Sequence, residues 1–304
     1  MLTRYLDKLR DRIKPFDTAM TVNERVGMLG GGPRASAIAL AAFLSLFPLL
    51  LVGIAVVGWF SVDNADFAEE TIERMGLEGR AARAVTEAID TAESSRQAAT
   101  VVGLVGLVWS GLGVVGAMEG ALNTVWQVSG RGLLAKLRQF VWLVGAALLF
   151  IGSAGLGALL GVLPGPGIVS SLLGGLVLDT ALFLWTFQQL TNAAVPWRAH
   201  LPGAIVGGIG MGILKLIAGV YVPQMVASSS ALYGSIGVVF AILAWLVLVS
   251  RLFVYAATYN VVRYEQGHGT VTVDLEVPHI EGVVPLEATR GGAVAEAAAP
   301  PASS

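Results

Sequence analysis

Six apolar runs, each long enough to cross about 30 Å of hydrocarbon at a helical rise of about 1.5 Å per residue, constrain this chain more than any other feature. They cover residues 35–60, 99–118, 140–163, 168–192, 202–222 and 236–262. The expected fold is an all-α membrane protein: a six-transmembrane-helix bundle with an N-terminal interfacial amphipathic helix and a helical outer loop. Composition points the same way. Of 304 residues only 13% are charged, against about 25% in an ordinary soluble domain. The first run follows about thirty polar and basic residues and is too long for a signal-peptide core, so it is expected to be retained.

Lys and Arg in the connections set the orientation. Residues 1–34 carry Arg4, Lys8, Arg10, Arg12, Lys14, Arg25 and Arg34, the second connection Arg131, Lys136 and Arg138, and the fourth Arg198. These segments are expected in the cytoplasm, together with both termini. The third connection, around Pro164 to Gly167, and the fifth, around Pro223 to Ser230, carry no Lys or Arg and are expected outside. The first connection, residues 61–98, holds four arginines outnumbered by acidic residues. Ile72 with Met75, and Val85 with Ile89, recur there at helical spacing, so two short amphipathic helices are expected over the outer mouth. The division is a cytoplasmic segment 1–34, a membrane domain 35–263 and a cytoplasmic tail 264–304. That tail turns polar, then rich in Ala, Gly and Pro, and reads as disordered. At the other end Leu2, Leu6, Leu9 and Ile13 share one face opposite Arg and Lys. That face suits the inner membrane surface; the alternative is packing on a cytoplasmic loop.

A net charge of −2 gives no basic surface for neutralising phosphates, so nucleic acid is not an expected partner. The absence of cysteine removes disulfides, iron–sulfur ligation and thiol catalysis. No cofactor or metal motif stands in the sequence. The partners expected are membrane lipid and a lipid or amphipathic anion, with glycine-rich faces that permit a homo-oligomer.

Charge inside a membrane is costly, so mid-span ionisable residues carry the first functional hypothesis. They are Asp179, Lys215 and Arg251, which are expected to meet inside the bundle. Their sum is positive, and a cavity so lined favours an anionic or phosphate-bearing group. The structural alternative has Asp179 neutralising one cation while Lys215 extends toward the interface. Gly208, Gly212, Lys215 and Gly219 recur at spacings of four, three and four. Such a face serves close helix packing, or leaves room for a substrate beside Lys215. Pro48 removes one backbone hydrogen bond in mid-span and is expected to kink its helix, as a gate or as a packing shape. Gln188, Gln189 and Asn192, with Glu119 and Asn123, are expected to form a polar vestibule at the inner end or hydrogen bonds between helices there.

The order of short motifs resembles the YihY / virulence factor BrkB family, some of whose members were once labelled ribonuclease BN. The residues that carry the resemblance begin with Leu44, Ser45, Leu46, Phe47, Pro48 and the leucines to Leu51. Asn123 and Trp126 come next, then Leu201, Pro202, Gly203 and Ala204, with Lys215 and Tyr221 further along. Tyr233, Gly234, Ser235, Ile236, Gly237, Trp245 and Asn260 complete the series. The resemblance implies a six-helix inner-membrane protein with cytoplasmic termini, a role in envelope integrity, and in some members transport of lipid-like molecules. Where the family usually has Gly-Ala-Glu-x-Asn, this chain has Ala256, Ala257, Thr258, Tyr259 and Asn260, without the glutamate. Its histidines, His200, His268 and His279, show no metal-ligand spacing, which argues against a nuclease.

Three functional classes are in play. The first is a transporter or flippase for an amphipathic anion, with Asp179, Lys215 and Arg251 lining its path. The second is a membrane scaffold or envelope-assembly partner that uses the acidic outer helices. An enzyme acting on lipid precursors is the third, and no catalytic carboxylate pair, nucleophile elbow or metal motif supports it.

Overall fold

A computed structural model describes residues 14–62, 69, 72–73, 80–128, 135–148, 168–233 and 235–269. Contacts divide the chain into Met1–His268 and Gly269–Ser304, and of the second unit only Gly269 lies among the described residues. The amphipathic stretch at Leu2 to Ile13 and the expected tail beyond Gly269 lie outside them.

Among the described residues of the first unit, all regular structure is helical. Helix α1 spans Lys14–Met28, α2 Gly31–Val62 and α3 Arg80–Val125. Residues 135–148 form α4, Ile168–Leu190 α5, Leu201–Tyr233 α6 and Ser235–His268 α7. A short 3-10 turn, Trp197–Ala199, leads into α6. Four helical stretches among the described residues are long and apolar enough to cross a membrane: Gly31–Trp59, Val85–Val125, Leu201–Gly219 and Val239–His268. The expected third run continues past residue 148 outside the described residues.

Local chemistry explains where the helices end. After α1, Gly30 adopts φ 64, a left-handed conformation open to glycine without steric cost, and its N–H bonds the carbonyl of Gly27. After α3 the same kind of cap is made by a non-glycine residue. Gln127 has φ 53 and donates to Thr124, while the Val128 N–H donates to the Asn123 carbonyl at 2.8 Å.

Two expectations about connections are corrected. The helix expected around Val85 and Ile89 is not separate: it is the first part of α3, a continuous helix of 46 residues and about 69 Å. From Arg80 to Val102 there is neither glycine nor proline, so nothing stops the amphipathic segment from running into the membrane run. The expected outer loop at Pro223 to Ser230 is likewise helical, since α6 continues to Tyr233. No glycine stands between Gly219 and Gly234, where a turn could form cheaply. A third feature went unanticipated. Thr18, Val22 and Val26 lie one turn apart on the buried face of α1, which packs along the last turns of α7. Arg25 pairs with Glu265, and Gln266 donates to Thr18 at 3.2 Å.

Helices α2 to α7 form a closed ring of neighbours. Small residues let α2 and α3 run close: a Cβ on Gly58 would stand 2.2 Å from the Ala92 carbonyl, and one on Gly106 3.0 Å from the ring of Pro48. Pro48 is buried in that contact, and the helix continues through it without a break. Leu143 of α4 fills the space at Gly111 of α3, and Trp142 of α4 donates to Thr186 of α5 at 3.2 Å. Gly207 of α6 lies under the Phe183 ring of α5, Gly210 of α6 against Leu252 of α7, and α7 packs back on α2. The aromatic rings of Phe183, Phe187 and Phe253 meet inside the ring, at centroid separations of 5.4 to 6.3 Å.

Candidate functional site

Of the three mid-span charges, the fold brings two together. The Lys215 ammonium on α6 bonds both oxygens of Asp179 on α5, at 2.6 and 2.8 Å. The Asp179 side chain is 13% exposed and that of Lys215 58% exposed, so the carboxylate is set into the helix pair and the ammonium closes over it from outside. Backbone is bare around them. A Cβ on Gly175, one turn from Asp179, or on Gly212 and Gly219, one turn either side of Lys215, would meet nothing within 4 Å. Gly208 behaves differently: its Cβ would stand 2.2 Å from the hydroxyl of Thr180, so it is the packing glycine of the expected stripe.

Arg251 does not join the pair. It is exposed on α7 and lines a cavity of about 290 Å³ with Asn23 and Gly27 of α1, Gly31 and Gly32 of α2, and Tyr255 of α7. The expectation of one shared midplane cavity is therefore not met. The reason is helical phase, which turns Arg251 toward α1 and α2 while α6 packs on the neighbouring face through Leu252 and Ala256.

A second polar cluster lies where α3, α4 and the end of α5 meet. The Glu119 carboxylate, 6% exposed, accepts from Gln139 at 2.6 Å and from the Asn192 amide at 3.3 Å. The Asn192 backbone N–H donates to the Asn123 side chain at 3.1 Å. Arg138 donates to the Asn192 side chain at 2.9 Å, to the Thr191 carbonyl at 3.2 Å, and to the Gln189 carbonyl. Of the two readings of these residues, the interhelical bonds are what form, and Gln188 stays exposed. Sequence reasoning missed Arg138 and Gln139 as members. The available signal was an amide and a guanidinium directly before an apolar run, where each needs a partner.

The motif residues Asn123, Trp126, Pro202, Gly203 and Asn260 gather beside this cluster. The Gly203 N–H donates to the Asn260 side chain at 2.5 Å, and a Cβ on Gly203 would stand 2.1 Å from the Ala256 carbonyl. Trp126 meets the rings of His200 and Tyr264 edge-on, at 5.4 and 5.8 Å. His200, just before α6, is buried, and loss of hydration pushes its imidazole down from 6.5 to about 4. Ser45 donates to the Ala42 carbonyl at 2.7 Å within its own helix, and Trp245 is half-buried. Gly234 and the side chains of Tyr221 and Tyr233 lie outside the described residues.

Long apolar helices packed through glycines, with polar residues paired between them, define a multi-spanning α-helical membrane protein. The chain belongs to the family described as Virulence factor BrkB, whose pattern matches residues 25–275. A UPF0761 membrane protein of Nitrosospira multiformis is 26% identical over 263 residues, covering 81% of this chain and 60% of that protein. A UPF0761 membrane protein of Ralstonia nicotianae is 26% identical over 225 residues, covering 70% and 51%. The inner membrane protein YhjD of Escherichia coli is 24% identical over 266 residues, covering 78% and 77%. The match thus spans only 51–60% of the length of those two UPF0761 relatives. None of these three names denotes an enzyme. No solved structure matches. Among the described residues, no group of three or more His, Asp or Glu side chains is arranged to hold a metal ion.

Proposed function

We propose that this chain is a six-span inner-membrane protein with cytoplasmic termini that moves a lipid or other amphipathic anion across the bilayer, in the service of envelope integrity. In this reading residues 61–98 lie outside, and residues 264–304 are a cytoplasmic tail. The observation that carries it is the ion pair of a half-exposed Lys215 with a recessed Asp179, beside open space at Gly175, Gly212 and Gly219. The ammonium spends part of its hydrogen-bonding capacity on Asp179, and its exposed remainder calls in a bilayer for water or a passing headgroup. The pair stands about 16 Å from the inner end of α5, a polar step partway through the apolar layer. The inner membrane location given in the name of the Escherichia coli relative supports the placement.

The test is transbilayer movement of labelled anionic and zwitterionic lipids in proteoliposomes of the full chain. Lys215→Ala and Arg251→Ala are expected to slow the anionic lipid; movement no faster than in empty liposomes would refute the transport reading. A scaffold is the second reading, favoured by the length of α3. Its first turns present Glu87 and Asp90 exposed, a projecting acidic surface for a partner. Under that reading substitutions on residues 83–97 affect envelope phenotypes more than Lys215→Ala does.

A further inference from the structure

The cavity at Arg251 sets an exposed cation among polar and glycine residues, apart from the Lys215–Asp179 pair. Arg251 makes no hydrogen bond or ion pair with any described residue, although arginine in a membrane protein is costly to leave uncompensated. Around it stand the Asn23 side chain and the Tyr255 hydroxyl, which bond each other at 2.9 Å. The remaining lining is apolar or bare: the side chains of Val26 and Val254, and Gly27, Gly31 and Gly32. A Cβ on Gly27 or Gly32 would meet nothing within 4 Å, so the cavity of about 290 Å³ reaches the backbone at both positions. An unpaired guanidinium beside open volume is the chemistry that can take up a phosphate oxygen pair.

The surface leading to the cavity says which phosphate. Phe240, Ala244, Leu248, Arg251 and Tyr255 succeed one another along a single face of α7 at spacings of three or four, and all are exposed. Three apolar positions therefore run directly into the cationic one. On α2, Leu40, Leu44 and Phe47 are exposed as well, in the turns after Gly32. An amphipathic strip with its cation at one end complements a molecule with acyl chains and a phosphate head, whereas a soluble phosphate uses only the end.

We propose that the cavity between α1, α2 and α7 binds the phosphate of a glycerophospholipid through Arg251, with the acyl chains along Leu248 and Phe240. This lipid class and docking position deepen the lipid-handling reading and rest on it for the lipid's role. Binding is measured apart from transport. Native mass spectrometry of the full chain in detergent, titrated with dioleoyl-phosphatidylglycerol, is expected to show a bound lipid. Arg251→Gln is expected to weaken it about tenfold or more, the scale of one charge-assisted bond. Gly32→Leu adds its side chain where a Cβ meets nothing within 4 Å, and is expected to weaken binding while Arg251 remains. Lys215→Ala is expected to bind as the wild type does, so lost transport with retained binding leaves this site standing. Equal lipid binding in the wild type, Arg251→Gln and Gly32→Leu overturns the proposal; so does glycerol phosphate displacing the lipid at equal concentration, which would make the site one for soluble anions.

Discussion

Replacing Gly203 by alanine probes the closest approach between α6 and α7. The added methyl carbon would stand 2.1 Å from the Ala256 carbonyl oxygen and 2.6 Å from Asn260 Cγ, so the two helices must separate by about 1 Å to restore ordinary contact. Overpacking of this kind costs about 1–3 kcal/mol. The separation also stretches the bond from the Gly203 N–H to the Asn260 side chain, worth about 1 kcal/mol. Against these, alanine gains about 1 kcal/mol over glycine in a helix, leaving a net loss of about 2 kcal/mol. For a chain of this size that is a melting temperature lower by about 4–8 °C, read from thermal unfolding in detergent. Gly212→Ala is the matched control, because its methyl group meets nothing and only the helix gain remains. It is expected to melt at or above the wild type. A Gly203→Ala protein that melts within about 1 °C of the wild type, or a Gly212→Ala protein that falls as far, would show that this crossing is not the tight contact described.

Three further outcomes concern the polar groups and caps. His200 has its folded pKa lowered to about 4 from 6.5, so both states are neutral above 6.5 and its contribution there is complete; as the pH falls from 6.5 toward 4 the unfolded chain takes up a proton that the fold refuses. Melting temperature is therefore expected to drop over that window, and to drop less in His200→Leu; equal slopes for the two proteins would refute the assignment. Glu119→Gln places an amide N–H where a carboxylate oxygen accepts, so one bond to Gln139 or Asn192 is lost at a cost of about 2 kcal/mol, visible as lower thermal stability in detergent. Gln127→Gly relieves a left-handed residue at φ 53 and is expected to raise stability by about 1 kcal/mol in the same assay, with no change if the cap is unstrained.

That this is a helical membrane protein is legible in the residues alone, because a run of apolar residues needs no partner to declare its preference for lipid. The sequence also marked the mid-span charges and the motif residues, because charge in an apolar stretch and an ordered set of short motifs are visible without coordinates. What it could not supply is phase and partnership. Lys215 meets Asp179 and not Arg251 because α5 and α6 pack side by side, whereas one residue of rotation on α7 turns Arg251 toward α1. Gly208 and Gly212 belong to one stripe in sequence, yet one lies against Thr180 and the other against open space, a distinction that rests on where the neighbouring helix crosses. The continuity of α3 through Val85 was hidden for a related reason. Amphipathic and apolar periodicities are read as two elements, while the backbone between them, free of glycine and proline, has no cause to break. Glu119, Gln139 and Asn192 lie on separate segments, so only the tertiary fold decides that their hydrogen bonds are made to one another and not to water.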